Sequence, residues 1–153
     1  KSVVEINSMQ KDSMIKKIRN SLGGDESGKV IAVFGLTFKP ETDDMRDAPS
    51  LTILPPLVEA GAIVRAHDPE GIEQAQTLLP KAIEYFPDIF EAADGADAVI
   101  LMTDWNQYKD LDLQLLKNKM KGKIFLDLRN VYEPNEMNNA GFDYYCIGRG
   151  HNF

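Results

Sequence analysis

The sequence is short of several things, and each shortage excludes a class of protein. It has one cysteine, Cys146, so no internal disulfide framework is available. Two histidines beside that single cysteine argue against a Cys/His zinc site. Positive charge is in deficit: 17 Lys and Arg against 24 Asp and Glu give a formal net charge of −7. Such a chain has no electrostatic footprint for non-specific nucleic acid or for an anionic membrane. No apolar run reaches the roughly 18 residues of a membrane span, and the opening KSVVEINSMQ does not read as a signal peptide. The chain lacks an initiator Met, which fits either a processed chain or a piece of something longer.

What is present suits one compact domain. At 153 residues the length matches the usual size of a single domain. A hydrophobic content of 43% and a charged content of 27% are ordinary globular values and argue against disorder. Residues 2–22 predict a helix, with Val4, Met14, Ile15, Ile18 and Leu22 near a 3.6-residue period and Gly23-Gly24 ending it. KVIAVFG (29–35) is a continuous apolar run, as in a strand buried on both faces. A long polar stretch follows, then a helix over 50–60, with Ser50 in the N-cap position and Gly61 as its C′ residue. Pro55-Pro56 inside it signals a later start or a kink.

Further strands are expected at 62–68, 83–86, 96–103, 123–129 and 142–147. Helical segments are expected at 70–79, from Asp88 through Ala93, and at 105–108, 111–119 and 134–139. This alternation predicts an α/β fold: a Rossmann-like, doubly wound, mostly parallel sheet of about six strands flanked by helices and preceded by an N-terminal helix. Ligands of such sheets bind beyond the carboxyl ends of the strands. The loops at 36–49, 103–106 and 128–133 are therefore the candidate chemistry.

The first loop is GLTFKPETDDMRDAPS. A dinucleotide site needs G-x-G-x-x-G there, so that the backbone can approach a pyrophosphate. Gly35 stands alone, and a self-contained NAD site is disfavoured. The loop offers Lys39, a compact donor, and Arg46, a planar fork suited to phosphate oxygens. Two readings stand: a phosphate-binding pair, or a solvated loop with both cations paired to Glu41, Asp43, Asp44 and Asp47. Asp43 and Asp44 lack the spacing of a Ca²⁺ loop. Arg129, in DLRN (127–130), emerges from a buried strand and fits either a ligand phosphate or ribose, or the capping of helix carbonyls. Trp105 reads as a packing anchor and Cys146 as a small buried hydrophobe, since neither His67 nor His151 is placed beside the thiol. Asp68-Pro69 reads as turn chemistry.

GLTFKPETDDMRDAPSL, then AHDP, LMTDWNQYKDLD, FLDLRN and the closing IGRG resemble the C-terminal domain of the UDP-glucose/GDP-mannose dehydrogenases over residues 29–150. Met45 and Ala48-Pro49-Ser50 look more like the UDP-glucose branch. The resemblance implies that residues 1–24 are the end of a central dimerisation helix and that 25–153 form the nucleotide-sugar domain. It implies a cytoplasmic, homodimeric, NAD-dependent enzyme that oxidises the C6 alcohol of UDP-glucose, or of a related nucleotide sugar, to a carboxylate. Phe38 and Lys39 look like the pair that contacts the UDP-sugar. Arg46 looks like the residue that reaches across to NAD, and Arg129 like a substrate-binding arginine. The family's catalytic cysteine motif is missing, and Cys146 does not match it.

Two rivals remain: a non-catalytic Rossmann-like binding or interaction module, and an oligomerisation fragment whose N-terminal helix exposes Val4, Ile15, Ile18 and Leu22 or pairs them with another copy. On the enzyme-domain reading the chain by itself is inert. Mixed with UDP-glucose and NAD it should release no NADH above background, and measurable turnover would sink that expectation.

Overall fold

The computed structural model describes residues 13–37, 39–46 and 48–146. Helix α1 covers residues 13–21; the expected portion from 2 to 12 lies outside the described residues. The remaining order is β1 (Val30–Phe34), α2 (Ser50–Glu59), β2 (Ile63–His67), α3 (Ile72–Leu78), β3 (Glu84–Tyr85), α4 (Ile89–Ala93), β4 (Ala98–Leu101), α5 (Asn106–Lys109), α6 (Leu113–Lys119), β5 (Ile124–Asp127), α7 (Pro134–Asn139) and β6 (Asp143–Cys146). The strands form one six-stranded sheet in the order β3-β2-β1-β4-β5-β6. Every pairing is parallel, with Phe34 opposite His67 on one side and Leu101 on the other. The strand order reverses between β1 and β4, the doubly wound arrangement expected from the alternation of elements.

The continuous apolar runs have a direct cause. Successive side chains of a strand point to opposite faces, and here both faces are covered. Ile31 and Val33 of β1 join a core with Ile53, Leu54 and Leu57 of α2 and Val64 of β2. Ala32 and Phe34 join the opposite core with Ala92, Leu116, Phe125 and Tyr144. Ile18 of α1 and Leu22 just after it are buried in the first core, and Ile15 packs against it. The expected open apolar face is therefore corrected at those positions: the domain itself covers it. Val4 lies outside the described residues.

Helix α2 runs from Ser50 through Pro55 and Pro56 without a later start. Two prolines remove two backbone donors, and the burial of Ile53, Leu54 and Leu57 offsets that loss. The capping expectation is corrected. Pro49 occupies the N-cap, and Ser50, the first helical residue, donates its Oγ to the Leu36 carbonyl at 2.7 Å. That bond ties the start of α2 to the loop leaving β1. Gly61 does take the expected C′ role, with φ 100 and its N–H on the Val58 carbonyl. The helix expected from Asp88 through Ala93 is α4, and Asp88 caps it, accepting from the Glu91 N–H. Trp105 and Cys146 are both buried in the second core, in keeping with their reading as packing groups.

An ion pair fastens α1 to the turn that leads into β1. Arg19 Nε donates to both oxygens of the buried Glu26 at 2.9 Å. The Arg19 hydrogen bond holds the Glu26 carboxyl below its ordinary value of 4.5. A depressed carboxyl stabilises the fold above its unfolded pKa and loses that contribution as pH falls through the folded one. Arg19→Ala should therefore lower the urea midpoint at pH 7. The deficit should shrink as pH drops below the ordinary glutamate range; a deficit of constant size from pH 7 to 3 would refute the pairing as its cause.

Candidate functional site

The carboxyl edge of the sheet gathers the loops that leave β1, β2, β4 and β5. At the point of strand reversal β1 and β4 meet almost without space. Gly35 has φ 95, and a Cβ there would lie 2.6 Å from Thr103. Thr103 Oγ donates to the Thr37 carbonyl at 2.7 Å, so the end of β4 holds the β1 loop. Thr37 Oγ in turn donates to the Lys39 carbonyl at 3.0 Å. Phe38, between them, lies outside the described residues.

Two buried carboxylates organise the loop backbones. Asp68, 3% exposed, follows β2 and accepts from the N–H groups of Leu36 (2.7 Å) and Thr37 (3.3 Å) through Oδ1. Its Oδ2 accepts from Glu70 (3.0 Å) and Gly71 (2.6 Å). The last two bonds are the turn chemistry expected of Asp68-Pro69; the first two join one loop to another. Asp127, fully buried at the end of β5, accepts from the N–H groups of Arg129 (2.9 Å), Val131 (2.8 Å) and Tyr132 (3.1 Å). Tyr144 adds its hydroxyl at 2.7 Å. Asn130 at φ 56 makes the bend that lets these donors converge, a conformation that asparagine tolerates. Burying a carboxylate costs several kcal/mol, and multiple N–H donors offset it.

The expected cations fall into different settings. Lys39 is exposed and forms no ion pair within 4 Å among the described residues, although its charge contributes to lowering Asp44. Arg46 is 88% exposed in its side chain and is forked on Asp44, Nε to Oδ1 at 3.1 Å and Nη2 to Oδ2 at 3.0 Å. That bond pushes the Asp44 carboxyl down to about 2. The charged-loop reading thus holds for Arg46; Asp47, one of the carboxylates it offered to Lys39, lies outside the described residues. Arg129, 37% exposed, has Nη2 3.7 Å from Asp104 Oδ1, too long for a hydrogen bond. Asp104 Oδ1 is itself buried without a hydrogen-bond partner, so Arg129 is loosely held and available. Beside the Arg46 loop lies a cleft of about 630 Å³ lined by residues 42–46, Leu51, Gln74 and Leu78.

Beneath the edge sits an aromatic network that the sequence did not single out. The Tyr108 hydroxyl contacts His67 Nδ1 at 2.9 Å and donates to the His67 carbonyl at 3.1 Å. Its ring stacks on Phe34, and the Tyr132 hydroxyl donates to the Tyr108 carbonyl. Burial pushes the phenols of Tyr108 and Tyr132 far above their ordinary range. Tyr108 stands in the polar run TDWNQYKD, and nothing local paired it with His67, 41 residues away.

These features define a Rossmann-type α/β domain whose carboxyl edge carries two buried carboxylates and the cations Lys39, Arg46 and Arg129. Residues 32–134 match the model described as the UDP-glucose/GDP-mannose dehydrogenase family, UDP binding domain. The chain belongs to that family. It is 44% identical over 148 residues to UDP-glucose 6-dehydrogenase of Rhizobium meliloti, and 43% over 149 residues to the UDP-glucose 6-dehydrogenase YwqF of Bacillus subtilis. Each match covers 97% of this chain and 34% of the relative, so the chain spans about a third of the length of these curated relatives. A UDP-glucose dehydrogenase from the archaeon Pyrobaculum islandicum superposes with a TM-score of 0.74 at 33% identity, over 88% of this chain and 29% of that one.

Burial holds His67 below its ordinary value of 6.5, against the opposing pull of the Asp68 and Asp88 carboxylates. The unfolded chain gains a proton there while the folded one stays neutral, so stability is complete above about pH 6.5 and falls as pH drops below it. His67→Asn keeps an N–H beside Tyr108 and removes the titration. Its urea midpoint should vary less between pH 7.5 and 5 than that of the unaltered chain; identical slopes would exclude His67 as the source.

Proposed function

We propose that this chain is the nucleotide-sugar-binding part of a UDP-glucose 6-dehydrogenase, a longer enzyme that oxidises UDP-glucose to UDP-glucuronate with NAD. The observation that carries the reading is the placement of Lys39 and Arg129. They stand on the loops leaving β1 and β5, with β4 between, and neither is hydrogen-bonded to a carboxylate among the described residues. Lys39 and Arg129 meet the diphosphate, and Phe38 completes the contact with the nucleotide sugar. The family match over residues 32–134 supports a UDP ligand at this edge.

NAD does not fit the β1 turn of this chain. The N–H groups of Leu36 and Thr37, the first donors after β1, are already on Asp68. In this reading NAD is held by another part of the longer enzyme, and Arg46, aimed into solvent and braced by Asp44, meets it there. The reacting nucleophile also lies elsewhere, because Cys146 is fully buried among Tyr144, Phe125 and their neighbours. Residues 1–24 belong to the end of a central helix through which two subunits pair, and the enzyme works in the cytoplasm.

Calorimetry of UDP binding to the chain tests the assignment. Lys39→Ala and Arg129→Ala should each weaken UDP by about tenfold, the low end for a charge-assisted hydrogen bond, since both side chains keep water contact. Arg46→Ala should leave UDP affinity unchanged. If the chain binds no UDP, or if both of the first two variants bind it as well as the unaltered chain does, the reading fails.

A further inference from the structure

Thr37 is the point at which three strands grip the loop that presents Lys39. Its N–H is on Asp68, its carbonyl accepts from Thr103, and its hydroxyl donates to the Lys39 carbonyl. The grip from the β2 side is steric as well as polar. A Cβ on Gly71 would lie 2.5 Å from Thr37 Cγ2 and 2.9 Å from Asp68 Oδ2. Gly71 has an ordinary φ of −99, so only this lack of space, and not its backbone, forbids a side chain.

Asp68 is too deep to touch a ligand in the cleft, and its two oxygens are occupied by four backbone donors from two loops. A buried carboxylate with that many donors is stiff, since each lost bond would leave part of a charge uncompensated. Its rigidity is passed through Thr37 to the backbone of Lys39. Resting on the nucleotide-sugar reading above, we propose that Asp68 is a positioning residue: it clamps Thr37 against the β2 turn so that Lys39 is presented to a nucleoside diphosphate. The same clamp withholds the Leu36 and Thr37 donors from any phosphate that enters the β1 turn.

Calorimetric UDP affinity tests this with variants that act by different routes. Asp68→Asn replaces one acceptor oxygen with an NH₂ facing N–H donors. Gly71→Ala leaves every polar group in place and pushes only on Thr37 and the carboxylate. Each should weaken UDP by about five- to tenfold, and Gly71→Ala should add less than about twofold in a Lys39→Ala background, because both act through one group. Leu116→Ala, buried in the opposite core, is the stability control; it should lower the melting temperature and leave UDP affinity unchanged. If Asp68→Asn does not fold, Gly71→Ala and its double variant carry the test alone.

If Lys39→Ala loses affinity while Asp68→Asn and Gly71→Ala do not, the positioning role is overturned and the nucleotide reading survives. A Leu116→Ala variant that loses UDP affinity in step with its melting temperature, or an undiminished effect of Gly71→Ala without Lys39, would likewise overturn it. A Lys39→Ala variant with unchanged affinity would remove both.

Discussion

Four backbone N–H groups from two loops converge on the Asp68 carboxylate, and the geometry of the ligand edge follows from that convergence. In a doubly wound sheet the loops after β1 and β2 leave neighbouring strands with their donors unpaired. Some acceptor must satisfy them once water is excluded. In a dinucleotide-binding fold a ligand pyrophosphate answers the β1 donors. Here the protein supplies its own carboxylate, so the β1 loop is finished before any ligand arrives. The loop is then free to run outward and carry Lys39 and Arg46 away from the turn.

The same device recurs on the far side of the reversal point. Asp127 receives three N–H groups and the Tyr144 hydroxyl, and the loop it fixes carries Arg129. The two carboxylates also resolve the charge of −7. Part of the acidity is internal, spent on backbone donors. The cations are left at the edge, where Arg129 is only loosely held by Asp104 and Lys39 is exposed. Net charge is an average over the chain, and a cationic edge can exist within an acidic domain because burial removes some carboxylates from the surface field.

Below the edge, packing and polarity are joined. Tyr108 fills the second core with its ring against Phe34 while its hydroxyl serves His67. The cluster needs partners for each buried polar atom, and it finds them between β2 and α5, two elements distant in sequence. That gives the layer under the site a single arrangement, as a fully satisfied polar network does in a low-dielectric interior.

The class of fold was legible in the chain of residues alone. Apolar runs of five to seven residues, Gly61 after α2 and Asp88 before α4 carry local physics, and local physics survives into the structure. The long string from Gly35 to Ser50 carried the family likeness, and the family match bears it out. The partner of each polar group, by contrast, depends on the assembled fold. Asp68 looked like a turn residue because half of its bonds are local. The other half reach Leu36 and Thr37, 32 and 31 residues back, and no pattern in one segment encodes that. Ser50 looked like a cap and instead fastens the β1 loop; Ile18 and Leu22, which one rival reading left exposed or paired with a second copy, are core. In each case hydrogen bonding and burial are settled by which strands become neighbours, and that is a property of the whole sheet.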